Sequence, residues 1–350
     1  MCESGDEVLS DVHIHIPPSS RLSNGGHATT RFYFEIPTSK NQPNASLTLP
    51  KVHVCGKQIL ESKHQGALDN DDDDDDESVT MTTVDEDGDM VVVRKRMGQK
   101  ERNVIVINHA MATTLSDVGL QVWQGCLLLC DFLLTHREMF KGRVVLELGS
   151  GVGLCSTVMA MTASHVFATD IGTSVLELCQ RNITHNYHYL MGHSDENQER
   201  VEVQVRELDW FQSTKSSDHP GPFQWSKKDI EKLGEVTVII AADVVYDDDL
   251  TDAFFNTLIR LMSSGKDKTA FIALEKRLNF TIEDLNVTCK AYDHFQLHIN
   301  RLVSSQDVKY CVEQLPVNFP QCFQYCRTEQ LLVSQPGCRL SDGLVANSAC

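Results

Sequence analysis

No two cysteines in this chain stand as CxxC, and no cysteine–histidine set has zinc-finger spacing, although twelve cysteines are present. Those absences argue against structural zinc modules and dithiol redox motifs, so no metal is expected. Cys126 and Cys130 fall in the apolar run GCLLLCDFLL and read as core thiols of a helix. Also missing is any uncharged apolar run of about 18 residues, the length needed to cross a bilayer. The first residues, MCESGDEVLSDVHIHIPPSS, lack the basic and apolar halves of a secretory signal. The expectation is a protein without membrane contact, kept in a reducing compartment, nucleus or cytoplasm, and not secreted. Asn-x-Ser/Thr triplets at Asn44, Asn182, Asn279 and Asn286 then read as chance matches.

A basic surplus is lacking too. The formal charge is −18, and twelve acids with no Lys or Arg crowd into residues 69–89. Without those twelve the remainder carries −6, an ordinary solvated surface. A chain with no cationic excess cannot gain affinity by displacing counterions from a phosphate backbone, so direct nucleic-acid binding is not expected.

What is present divides the chain. Residues 1–67 are polar, with two short strand-like runs, DVHIHI (11–16) and RFYFEI (31–36), and read as a poorly ordered region. Two alternating histidines, His13 and His15, are better read as one solvated strand face than as a metal site. Residues 68–102 read as a disordered linker, because like charges repel and little can be buried. Its acidic tract is followed by Arg94, Lys95, Arg96, Lys100 and Arg102, a composition shared with nuclear import signals. Residues 336–350 read as a loose tail.

Residues 103–335 have the texture of one domain. RVVLELG (143–149), HVFATD (165–170), VEVQVRELDW (201–210), VTVIIAADVVY (236–246) and TAFIALEK (269–276) read as strands. Helix-like stretches alternate with them: 152–163, 174–186 and LTDAFFNTLIRLM (250–262). The segment 218–234 reads as an inserted loop. HFQLHI, DVKYCVEQL and FQYCRTEQLLV read as closing strands, implying an antiparallel edge pair. Alternation of this kind predicts an α/β fold with a doubly wound, mostly parallel sheet.

The first strand runs into Glu147-Leu-Gly149-Ser-Gly151-Val-Gly153. Glycines at a strand-to-helix junction let a ligand approach the backbone. Glu147 in that turn would repel a pyrophosphate and attract a cofactor with a cationic end. S-adenosylmethionine fits, and a nicotinamide dinucleotide fits poorly. Asp170 ends the second strand, 21 residues beyond Gly149, where an acid can hold ribose hydroxyls. Asp209 and Trp210 end the third, offering a polar group and a flat face near an adenine. Each alone has an ordinary reading, a helix cap for Asp170 and core for Trp210. Together they converge on the crevice at the sheet's switch point.

With these motifs, GLQVWQGCLLLCDFL (119–133), ELGSGVGL (147–154), LDW (208–210) and Asp243-Val-Val-Tyr246, the chain resembles the seven-strand S-adenosylmethionine-dependent methyltransferases of lysine-methylating family 16. The resemblance spans about residues 103–335. It implies a Rossmann-like, seven-stranded sheet and protein-lysine methylation. It further implies that Trp123 covers the cofactor, that Ala242 lines its pocket and that Asp243 and Tyr246 flank the target lysine. A protein substrate is implied, non-histone, with an exposed basic segment; a nuclear nucleic-acid-binding protein of the KIN type is the suggested target. Two alternatives stay open: a catalytically idle S-adenosylmethionine-binding module, and a methyltransferase acting on something other than lysine. An adenine or glutamine enzyme would carry an NPPY-like turn, and DVVY has no proline.

Overall fold

Val144–Leu148 (β3), His165–Asp170 (β4), Glu202–Glu207 (β5), Val238–Ala242 (β6) and Thr269–Glu275 (β7) run parallel to one another in one sheet. They follow His27–Phe34 (β1) and Asn103–Ala110 (β2), which belong to a smaller sheet. Lys309–Leu315 (β8) and Leu331–Leu340 (β9) complete the large sheet, in the order β5-β4-β3-β6-β7-β9-β8, with β9 antiparallel to both neighbours. This computed structural model describes residues 7–10, 12, 21–24, 26–37, 81–84, 90–93, 103–191, 201–212, 214, 216–217, 221–281, 286–304 and 309–340. The chain divides into two units, Met1–Val52 with Asn103–Cys350, and His53–Arg102.

The predicted seven-stranded α/β sheet with an antiparallel edge pair is therefore present. Every residue of β3 is buried, and β6 is buried up to Ala242, as expected of central strands covered on both faces. Five helices cover the sheet: Gln124–Thr135 (α1), Leu154–Met159 (α2), Thr173–Met191 (α3), Asp248–Met262 (α4) and Lys290–Ser304 (α5). Leu115–Thr135 is long and apolar enough to cross a membrane by composition, but it is a 3-10 turn followed by α1, with 72% buried in the core.

β1 pairs antiparallel with β2 along its whole length, so RFYFEI docks on the larger unit. Asn182 and Asn186 of α3 act as a surrogate strand against β2. The Asn182 side chain accepts from Asn108 N (2.9 Å) and donates to Asn108 O (2.9 Å). Asn186 does the same with Val106, at 2.8 Å each way. Asparagines four apart on a helix face match backbone groups two apart on a strand, and the β2 edge is closed without another strand.

Several expectations need correction. HFQLHI is not a strand but part of α5, whose buried Phe295, His298, Ile299 and Leu302 recur at helical spacing. FQYCRTEQLLV becomes strand only at Leu331, and β9 runs to Leu340, past the expected domain end at 335 and into the expected tail. Residues 322–327 fold instead around buried Asp131 of α1, which accepts from Cys322 N (2.8 Å), Phe323 N (2.9 Å), Tyr325 Oη (2.8 Å) and the Arg327 guanidinium. The expected loop 218–234 contains a helix, Lys227–Leu233, started by a reciprocal cap between Ser226 and Asp229. Within 68–102, Met81–Val84 and Met90–Val93 pair antiparallel, both segments being rich in apolar and β-branched residues. The rest of that tract, the basic cluster, DVHIHI apart from Val12, and residues 341–350 lie outside the described residues.

Candidate active site

Chain order reverses across the sheet between β3 and β6, and a cleft of about 1000 Å³, open mouth included, lies there. Such switch points leave a crevice at the C-terminal strand ends. Ten of the eleven residues expected to form the site line this cleft: Trp123, Glu147, Gly149, Gly151, Asp170, Asp209, Trp210, Ala242, Asp243 and Tyr246. Gly153 is absent from the lining. A Cβ there would sit 2.9 Å from Cys179 Sγ and 3.2 Å from Ile183, so it is glycine to pack the loop against α3.

Gly149 and Gly151 do border the cleft, with φ of 71° and 50°. A Cβ on Gly151 would come 3.0 Å from Gly119 O in the 3-10 turn Leu115–Leu120. Glu147 belongs to β3 itself rather than to the turn, one residue before the strand ends. It is buried, and Ser156 of α2 donates to its carboxylate. Burial pushes the Glu147 carboxyl well above the usual range. Asp170 accepts from Gly151 N at 2.7 Å and Ile171 N at 2.8 Å, which fixes both oxygens at the mouth of the glycine loop; burial raises it too. Asp209 accepts from Phe211 N (2.9 Å) and from the Gln212 side chain. Trp210 packs edge-on to Phe254, with ring centroids 5.3 Å apart.

None of the cleft-lining residues is Lys or Arg, whereas four are carboxylates. A pyrophosphate would meet only negative charge, while a sulfonium and an ammonium would be drawn in. The donor set thus fits S-adenosylmethionine.

At the end of β6 the chain turns sharply. Asp243 has φ of 52°, the only positive value outside glycine among the described residues, so the strand stops at Ala242 and not at Tyr246 as expected. Its Oδ2 accepts from Gly125 N of α1 at 2.6 Å, and its Oδ1 from Glu275 N at 3.0 Å. Burial raises the Asp243 carboxyl, against the Arg277 guanidinium and those two backbone bonds. Tyr246, half-buried, has its hydroxyl pushed up to about 12, chiefly by burial, and so keeps its proton at neutral pH. Asp247 instead caps α4, accepting from Leu250 N at 2.9 Å, while Asp248 and Asp249 face solvent in its first turn.

Sequence reasoning missed Gly125, Arg277 and the Leu115–Leu120 turn. Gly125 carried a signal: glycine in the first turn of an otherwise leucine-rich helix costs stability unless another group must come close. Arg277 lies 4.5 Å over the Trp123 ring, a pairing no local pattern announces.

The lysine methyltransferase family model matches residues 100–287. The chain is 36% identical to methyltransferase-like protein 22 of Mus musculus, over 93% of this chain and 94% of that protein. The chain belongs to the lysine methyltransferase family. The methyltransferase is also 35% identical to methyltransferase-like protein 22 of Homo sapiens, covering 92% and 80% of the two chains. It is 25% identical to protein-lysine N-methyltransferase EFM3 of Chaetomium thermophilum, covering 55% and 52%. Its activity is protein-lysine methylation, and its methyl donor is S-adenosylmethionine.

Proposed function

We propose that this methyltransferase acts on a lysine in a basic segment of a non-histone, nuclear nucleic-acid-binding protein of the KIN type, with Asp243 and Tyr246 positioning the amine. The observation that carries the site assignment is the Asp243 carboxylate, held from two sides by backbone N–H groups at the wall of the cleft. The acidic tract 69–89 supports a basic substrate, and the basic cluster at 94–102, of the composition of an import signal, supports a nuclear one.

S-adenosylmethionine, when bound, supplies a methyl group on a sulfonium. Glu147 would hold its cationic end, Asp170 its ribose hydroxyls, and Asp209, Trp210, Trp123 and Ala242 its remaining surface, with Gly149 and Gly151 letting the backbone approach. A free lysine is neutral only about once in 2,500 molecules at pH 7. Asp243 attracts the ammonium and orients it, but its charge holds the amine pKa up, so it is a docking group more than a base. Desolvation in the half-buried pocket favours proton loss. Tyr246, still protonated, keeps a hydroxyl to aim at the amine and walls the channel.

A polar groove that shares Trp123 with the cleft is lined by Gln124, Glu275 and Gln330 and by the cations Lys276 and Arg277, so a basic segment entering there meets both signs of charge.

The test is transfer of labelled methyl from S-adenosylmethionine into nuclear extract, followed by mass spectrometry of the labelled band. A methyl-lysine in a KIN-type protein is the expected result. A methylated lysine confined to other proteins would reject that substrate, and a modified residue other than lysine would reject the site assignment.

A further inference from the structure

Between the first turns of α4 and the middle of α5, one carboxylate oxygen gathers two imidazoles. Asp252 Oδ1 lies 2.7 Å from His294 Nε2 and 2.7 Å from His298 Nε2. The histidines are four apart on α5, which places both rings on one face, toward α4. His298 is buried and stacks on Phe255, with centroids 4.5 Å apart and planes 7° off parallel. His294 is 23% exposed and Asp252 51%, so the point where the three meet is reachable from solvent. An ionised carboxylate only accepts, so in the absence of a cation both Nε2 atoms carry their protons toward Asp252.

We propose that Asp252, His294 and His298 form a binding site for a divalent transition-metal ion of the borderline class that includes zinc and cobalt. Two imidazole nitrogens and a carboxylate oxygen, within 4.8 Å of one another, are the ligand types such ions take. In a tetrahedral site with ligand distances of about 2.1 Å, nitrogen and oxygen stand roughly 3.4 Å apart. The half-exposed Asp252 therefore moves outward by a fraction of an ångström while Phe255 keeps His298 in place. Each neutral ring retains its single proton by shifting it from Nε2 to Nδ1, freeing the Nε2 lone pair. Asp248, exposed one turn before Asp252, adds negative charge to the approach. The bound ion ties α5 to α4, the helix that begins directly after Tyr246.

A second group, Cys126, Cys130 and Cys155, also brings three ligand atoms together, and it sets the competing outcome. The experiment is titration of full-length, chelator-treated protein with cobalt(II) chloride, followed by visible absorption, with zinc-dependent thermal shifts alongside. The site predicts ligand-field bands without thiolate-to-cobalt charge transfer. It also predicts a zinc-induced rise in melting temperature. His294→Ala, at a half-buried position, and Asp252→Asn, at an exposed one, each lower cobalt affinity at least about tenfold, since loss of even an outer-shell partner costs 10–100-fold. Both variants keep wild-type affinity for S-adenosylmethionine. Cobalt binding undiminished in both variants, spectra dominated by thiolate charge transfer, or no binding in wild type would each overturn the proposal.

Discussion

Gly125 N donates to Asp243 Oδ2 at 2.6 Å, and a Cβ on residue 125 would lie 2.6 Å from that same oxygen. The glycine is therefore what allows the carboxylate to seat on the N-terminal end of α1, where the backbone dipole favours a negative group. Gly125→Ala must displace Asp243, because α1 is packed in the core and cannot withdraw. The fold is expected to survive while methyl transfer falls on the order of 100-fold, the usual effect of misplacing a group by about 1 Å. Labelled-methyl assays beside circular dichroism check this; unchanged turnover would mean the seating of Asp243 is irrelevant to catalysis.

Asp243→Asn tests the charge with the shape kept. One amide oxygen can still receive an N–H, so the turn at φ 52° should persist. Binding of S-adenosylmethionine is expected to remain and transfer to drop by about 100-fold, with Asp243→Ala behaving likewise but melting earlier. Calorimetry for the donor and mass spectrometry for the product separate the two effects. A fully active Asp243→Ala enzyme removes the residue from the mechanism.

Glu147 makes donor binding depend on pH. Burial raises its carboxyl well above the usual range. Such a group contributes stability that is complete below its unfolded pKa and is lost as pH rises through its folded pKa. The free enzyme therefore loses stability with rising pH through this group. A cationic donor prefers the ionised form, so its affinity should rise with pH, on the order of tenfold per unit below that folded pKa. Glu147→Gln should bind more weakly and flatten the curve. An unaltered slope in that variant would show that the pH dependence lies elsewhere.

Legibility followed the range of the interactions. The glycine loop, Asp170 and LDW could be read because each is a short motif at a strand end, and strand ends converge on the switch point whatever the loops do. HFQLHI alternates over six residues, and only the wider register of Phe295, Ile299 and Leu302 shows its helical face. The positive φ of Asp243 left no mark, since aspartate adopts it only when bonds from Gly125 and Glu275, in other elements, hold it there. Asp131 was unreadable as a hub: its partners lie 191 to 196 residues away. The sequon at Asn182 gains a meaning of its own, as a fully buried amide that pairs with a strand.

Asn182→Ala should then destabilise the protein without touching the donor site. The substitution strips Asn108 N and O of their partner and also removes the bond to Val152 O at 2.9 Å. Buried groups left unsatisfied cost about 1–3 kcal/mol each, partly relieved by water, which suggests a loss of roughly 2–4 kcal/mol. Chemical denaturation would measure it. Stability within 0.5 kcal/mol of wild type, the range of ordinary surface changes, would mean that the asparagine pairing contributes little.

The acidic tract offers a kinetic prediction. Twelve carboxylates within residues 69–89 attract a basic substrate over distances set by screening, about 10 Å at 0.1 M salt and 30 Å at 0.01 M. Steering of this kind changes encounter rates, by about 10-fold or more at low salt, and leaves the chemical step alone. Removing 69–89 should lower kcat/KM toward a basic peptide at low ionic strength, with kcat little altered. The two enzymes should converge as salt is raised, because the truncated form has lost the field that salt would otherwise screen. Parallel salt curves for the full and truncated chains would show that the tract does not guide the substrate.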